Sequence, residues 1–303
     1  MCHTRPSPYA LSCPLPRAAR WTMWRACWAL KSRARAVRRS SLTTGPAHRA
    51  FLRPRTSGGS APDGYSVLIT NMESHVNNLG LFKSLPYDPV RDFQPVGLIA
   101  SAAAILVGNA AMPPSSLAQF VAYARADKGG VSFGTWGNGT YSHIAIATLG
   151  RIDRFAVVTV PYKGESPVVQ DLLGGNLSFA MASVLVAKAQ TDKGAMKAYA
   201  VNGDRRLALM PTVPTFKELG YTDPVLNMRP WFAAYAPAGT PKAVVERINT
   251  LLRDALRDPS VASSLSDKGF EPIGSSPAEH QRELARQIQT FTKVMHDIGI
   301  RPE

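Results

Sequence analysis

The chain has 303 residues, 45% hydrophobic and 18% charged, which excludes a low-complexity polymer and gives enough sequence for two domains with their own cores. Its formal net charge of +14 sits at one end: residues 1–60 hold 12 of the 35 Lys and Arg and no acid, so 23 bases face 21 acids in the rest. That near-neutral remainder lacks the charge excess expected of a nucleic-acid or anionic-membrane surface.

All three cysteines (Cys2, Cys13, Cys27) and Trp21, Trp24 and Trp28 also fall in this leader. Residues 61–303 therefore offer no disulfide, thiol nucleophile or Cys-ligated zinc. No apolar run approaches the ~18 residues of a spanning helix. The best leader stretch, Trp21 to Leu30, is broken by Arg25 and makes no credible signal peptide. These shifts predict residues 1–60 as a basic leader, disordered or out-of-frame, that is not part of the fold.

From Ala61 onward, strand and helix signals alternate. Val67–Thr70 reads as a strand after the turn Pro62-Asp63-Gly64, and Val96–Ile99 and Ala104–Val107 as further short strands. Ser116 caps a helix with Leu117, Phe120, Val121 and Ala124 on one face. Strand Val131–Phe133 leads into a helix over Ser142–Leu149, followed by strand Phe155–Val160. Ser166-Pro167 supplies an N-cap and N1 proline for a helix to Leu173, stopped by Gly174-Gly175. Leu177–Met181 and Ala198–Val201 are strands around a helix including Val184–Ala189. This rhythm predicts an α/β protein with mostly parallel sheets flanked by helices.

The C-terminal part opens with strand Trp231–Tyr235. Thr240-Pro241 starts a helix with Val244, Val245, Ile248, Leu251, Leu252 and Ala255 inward, and Asp258-Pro259 starts another that ends at Gly269. Ser276-Pro277-Ala278-Glu279 is a capping box. Its helix carries Leu284, Ile288, Phe291, Met295 and Ile298 on one stripe.

The richest chemistry lies in Gly134 to His143, between a strand and a helix, where an open α/β sheet places its ligand crevice. Asn138 and Gly139 sit where the backbone can approach a ligand. Thr140 and Ser142 can donate hydroxyls, and the helix start favours an anion. The same residues equally suit an ordinary glycine-rich turn with Ser142 as cap. Tyr162, Lys163 and Gly164 form a second strand-to-helix loop able to hold an anion. A third is the polar segment Asn71 to Asn78, containing Ser74, His75 and Asn78. A lone His75 is more often a structural hydrogen-bonding residue than a catalyst. Ser142 and His143 are adjacent, which does not arrange a nucleophile and its base. There is no Gly-x-Ser-x-Gly elbow, no metal-ligand spacing and no cofactor motif, so no enzyme is expected.

These words, in order, resemble one family. Ala61-Pro-Asp-Gly-Tyr65, Leu85-Pro-Tyr-Asp-Pro-Val-Arg-Asp-Phe93, Gly137-Asn-Gly139 with Ser142-His143, and Val160-Pro-Tyr-Lys-Gly164 are similar to those of the tripartite tricarboxylate transporter substrate-binding receptors, the Bug receptors. Asp171-Leu-Leu-Gly-Gly175, Leu209 to Thr215, Ala236 to Pro241 and Gly299 to Glu303 continue the match. The resemblance implies a periplasmic, monomeric two-lobed clamshell, with lobe 1 from 61–107 plus 228–303 and lobe 2 from 108–227. It also implies capture of a small organic carboxylate and delivery to membrane transporter subunits, with no nucleic acid involved. The ligand contacts it implies are Ser74, His75, Asn78, Asn138, Gly139, Thr140, Ser142, His143, Tyr162, Lys163, Gly164 and Ser183.

Three departures stand out. Members that grip an ammonium group carry an acid where this chain has Ala182-Ser183, which disfavours an amino acid held there. Glu73 stands where a small residue is usual, and it would repel a carboxylate or take a cationic or amide group. The family's opening strand, Pro-rich turn, helix and a strand like VVVENRPGAGG are missing, with Ser57-Gly58-Gly59 the nearest echo. One codon choice for Arg39 to Pro46, read from the third base of the Arg39 codon, encodes VVVDNRPG, so an out-of-frame leader is expected. Lobe 1 would then be incomplete and solute binding weak. The competing classes are a nucleic-acid-binding protein using the leader bases and, lower, a hydrolase using Ser142 and His143.

Overall fold

The computed structural model describes residues 41–44 and 60–302. In chain order the elements begin β1 (Ser41–Thr44), β2 (Ser66–Asn71), α1 (Met72–His75), α2 (Asn77–Leu81), β3 (Phe93–Ala102), β4 (Ala104–Asn109) and α3 (Leu117–Ala126). Next come β5 (Val131–Thr135), α4 (Tyr141–Asp153), β6 (Val157–Pro161), α5 (Glu165–Leu173), β7 (Phe179–Ser183), α6 (Val184–Asp192) and β8 (Met196–Val201). The chain finishes with α7 (Pro224–Asn227), β9 (Trp231–Pro237), α8 (Lys242–Arg257), α9 (Pro259–Ser266), β10 (Phe270–Pro272) and α10 (Pro277–Asp297). Among the described residues no helix is long and apolar enough to cross a membrane.

Two five-stranded sheets result, ordered β1-β2-β9-β3-β10 in lobe 1 and β6-β5-β7-β4-β8 in lobe 2. Both are mixed, which corrects the expectation of mostly parallel sheets. Pairs β1–β2, β6–β5 and β5–β7 are parallel. Pairs β2–β9, β9–β3, β3–β10, β7–β4 and β4–β8 are antiparallel. The reason lies in the connections. A parallel neighbour needs a crossover on the same sheet, whereas β4 and β9 enter their sheets directly from the other lobe. The two long apolar runs β3 and β4 are one such passage, turning at Ala103, so the lobe boundary falls there rather than after 107.

The leader expectation also changes at one place. Ser41–Thr44 pair in parallel with Ser66–Ile69, so these four residues do belong to the lobe 1 sheet. Counts of charge and cysteine are blind to this, because a strand is recruited through backbone N–H and C=O groups that β2 offers to any neighbour. The remaining leader residues lie outside the described residues.

Local signals act as the sequence dictates. The Ser116 hydroxyl accepts from Gln119 N, and Asp258 accepts from Ser260 N at the start of α9. Ser276 and Glu279 make both bonds of the capping box on α10. Two starts move slightly. Thr140, not Ser142, is the N-cap of α4, and α5 begins at Glu165 because Gly164, with φ of 101°, turns the chain there. Pro167 is tolerated in that first turn, where its missing N–H would have had no helical partner. The stripe Leu284, Phe291 and Met295 of α10 is buried, with Ile288 and Ile298 packed beside it. That apolar cluster continues through both lobes, joining Met72 and Met295 to Tyr141 and Ile144.

Candidate functional site

The C-terminal ends of β2 and β5 bring the expected loops together. From lobe 1, α1 and α2 follow β2 at once; from lobe 2, the loop after β5 runs into the N-terminus of α4. The two meet through side chains. Asn77 Nδ2 donates to the Gly139 carbonyl at 2.8 Å. The backbone N–H of Tyr141 donates to Glu73 Oε1 at 3.4 Å, and Asn71 Nδ2 holds Glu73 Oε2 at 2.8 Å. The lobes are thus in contact, with a lobe 1 carboxylate placed on the positive end of a lobe 2 helix. Burial pushes the Glu73 carboxyl up, opposed by those two donors.

Within lobe 2 the expected residues form one bonded cluster. Ser142 Oγ accepts from Trp136 N at 2.9 Å and lies 3.0 Å from Thr140 Oγ1, while the Thr140 hydroxyl donates to the Gly137 carbonyl at 2.8 Å. His143 Nδ1 accepts from Gly139 N at 3.0 Å. Burial lowers this ring's affinity for a proton, which keeps Nδ1 available as an acceptor. Ser142 and His143 therefore serve the loop backbone rather than each other. Gly164 N donates to the Trp136 carbonyl at 3.1 Å, and Trp136 Nε1 to the Met181 carbonyl at 3.1 Å, tying the loops after β5 and β6 to each other and to strand β7.

The remaining expected donors are also engaged. The Tyr162 hydroxyl donates to Asp171 Oδ2 at 2.5 Å; this bond, with burial, pushes the phenol up to about 12. Ser183 gives its N–H at 2.5 Å and its hydroxyl at 3.0 Å to Glu165. The Glu165 carboxyl is thus held against Ser183, and its burial pushes it up. In lobe 1, Ser74 donates to Asn71 Oδ1 at 2.9 Å and Asn78 Nδ2 to the Tyr87 hydroxyl at 2.9 Å. Asn138 and Lys163 are exposed, and their side chains have no hydrogen-bond or ion-pair partner among the described residues.

One expected contact is misplaced. His75 is fully buried, stacked on Tyr235 with centroids 3.9 Å apart and edge-on to Phe93, so it belongs to the lobe 1 core. Asn77, next to the expected Asn78, is the asparagine that reaches across to lobe 2, as Glu73 also does. One step along a helix rotates a side chain by about 100°, which is enough to exchange the two roles. Glu165 gave no local signal beyond an acid in the first turn of a helix. Among the described residues no group of three or more His, Cys, Asp or Glu could hold a metal ion.

Comparison with known proteins follows the same chain segment. Residues 52–300 match the tripartite tricarboxylate transporter family receptor, a match that starts inside the leader. Protein BugT of Bordetella pertussis is 30% identical over 241 residues, covering 79% of this chain and 73% of its own length. The solved structure of R. palustris Rpa4515 with adipate is 29% identical, with a TM-score of 0.73 over 80% of this chain and 81% of that one. MatC from Rhodopseudomonas palustris with bound malate is 27% identical, with a TM-score of 0.67 over 78% and 80%. Motif order, two-lobed architecture and these matches agree: the chain belongs to the tripartite tricarboxylate transporter receptor family, whose members are periplasmic solute-binding proteins.

Proposed function

We propose that this chain is an extracytoplasmic receptor that takes a small carboxylate-bearing organic solute between its lobes and delivers it to the membrane subunits of a tripartite tricarboxylate-type transporter. The observation that carries this reading is the meeting of strand-end loops from both lobes, through Asn77 to Gly139 and Glu73 to Tyr141. Such loops end on helix N-termini and backbone N–H groups, which suit an anion. Lys163 and Asn138, whose side chains have no partner among the described residues, are the ones first able to meet an arriving solute. Thr140, Ser142, Tyr162, Gly164 and Ser183 would contact it once their internal bonds rearrange, with Ser74 and Asn78 opposite. Entry requires the lobes to part about the two chain crossings, a hinge motion. Adipate and malate, seen with two relatives, set the size range to search.

A thermal-shift screen of the full chain against dicarboxylates, aromatic acids and acid amides tests the proposal. A ligand that binds only the folded state adds about 2.7 kcal/mol at a hundred times its Kd. We expect a saturable rise in Tm for at least one compound, weakened by Lys163→Ala. A panel without any saturable shift would sink the reading.

A further inference from the structure

On the receptor reading, the wall meeting a solute keeps unused acceptors beside donors of which many are already bonded. Several hydrogens that could grip an anion at the β5–α4 turn are already committed, Gly139 N to His143, the Thr140 hydroxyl to Gly137, and Tyr141 N to Glu73, which leaves the side chains of Asn138 and, on the next loop, Lys163 to hold one carboxylate. The Tyr162 hydroxyl and both Ser183 donors end on Asp171 and Glu165. Acceptor capacity, by contrast, is left over. A carboxylate has about four lone-pair sites, and those of Glu73 receive Tyr141 N and Asn71 Nδ2. Asn77, which also reaches the β5–α4 turn, is fully buried, and its Oδ1 has no partner among the described residues.

From this arrangement we infer that Glu73 is the specificity-determining residue of the cleft: it occupies the α4 N-terminus as a tethered carboxylate, so the preferred solute carries a single carboxylate and turns a hydrogen-bond donor, an amide or an ammonium group, toward Glu73. The inference rests on the receptor reading above. A tethered group competes at high effective concentration, and a solute carboxylate forced beside it would meet like charge in a site shielded from water. An amide or ammonium end instead completes the lone pairs of Glu73. The upward push that burial gives the Glu73 carboxyl is relieved by such a partner.

The test uses the full chain and matched probes of four and six carbons: the dicarboxylate, its monoamide and the terminal amino acid, each titrated by calorimetry. Wild type should bind the monoamide or amino acid about tenfold or more tighter than the dicarboxylate, given the cost of like charges in contact. Glu73→Ala and the isosteric Glu73→Gln should reverse or erase that ratio while the chain stays folded by circular dichroism. Amide and amino-acid arms tell neutral from cationic donors. A wild type that prefers the dicarboxylate, or a ratio unchanged in both variants, overturns the inference and leaves the receptor reading standing. If neither these probes nor the wider screen binds wild type or Glu73→Ala, both fall together.

Discussion

Gly139 has no room for a side chain. An added Cβ would meet Leu81 Cδ2 of lobe 1 at 2.1 Å, and its φ of +65° disfavours any L residue. Gly139→Ala should therefore cost about 1–3 kcal/mol in urea unfolding, part from backbone strain and part from overpacking. Leu81→Ala in the same chain should return the packing part; no recovery would mean the lobes do not touch there. His280 gives a second prediction. It is buried with Nε2 3.0 Å from the Tyr235 hydroxyl, and burial holds its pKa down to about 3. The native ring stays neutral while the unfolded chain takes up a proton near 6.5, so this residue's contribution is full above about 6.5 and is lost as pH falls toward 3. The slope approaches about 1.4 kcal/mol per pH unit across that window. Glu73 and Glu165, pushed up, act in the opposite sense, so the comparison of wild type with His280→Gln isolates the effect: the variant's stability should vary less between pH 6.5 and 4. At this scale the sequence reveals residue types but not their direction. It singles out Ser142 and Thr140 from their place before a helix, yet it cannot separate Asn77 from Asn78 or see that His75 stacks on Tyr235.

Elements are legible where the signal is local. Ser276-Pro277-Ala278-Glu279 announces α10, and the structure shows both reciprocal bonds, Ser276 Oγ accepting from Glu279 N at 3.2 Å and Glu279 Oε2 accepting from Ser276 N at 2.7 Å. Ser276→Ala should cost about 1 kcal/mol of stability, as N-cap losses do. An unchanged unfolding midpoint would show that packing of Leu284 and Phe291 alone holds this end. In α8 the apolar stripe is equally legible, but Asn249 on it is not. It is buried, and its Nδ2 donates to the carbonyls of Val96 at 2.8 Å and Ser275 at 2.7 Å, securing β3 to the segment before α10. Strand direction is the larger gap. A strand's own residues report how many faces it buries, not which way its neighbour runs. β4 and β9 run antiparallel to their neighbours because of where the chain arrives from, information spread over the whole sequence.

At the scale of the molecule, two passages join the lobes, β3 to β4 through Ala103 and β8 to β9 through residues 202–230, and one buried side chain binds them together. Asn202 Oδ1 accepts from Ala104 N at 2.9 Å, its Nδ2 donates to the Met228 carbonyl at 2.8 Å, and its own N–H donates to the Ala104 carbonyl at 3.2 Å. Arg229 adds an ion pair to Glu271 and Arg205 a second at 3.2 Å. Passages so tied resist splaying apart, because separating them breaks buried hydrogen bonds. Asn202→Ala strands Ala104 N and the Met228 carbonyl, each costing about 1–3 kcal/mol when left buried and unpaired. Asn202→Asp keeps the acceptor for Ala104 N but turns an oxygen toward the Met228 carbonyl. Both variants should unfold at lower urea, and both should show a larger radius of gyration by small-angle scattering, since the lobes lose the bond that limits their opening. If Asn202→Ala lowers stability with unchanged scattering, the asparagine supports the fold without governing the hinge. If neither changes, the crossings are held by Arg229, Glu271 and backbone pairing alone.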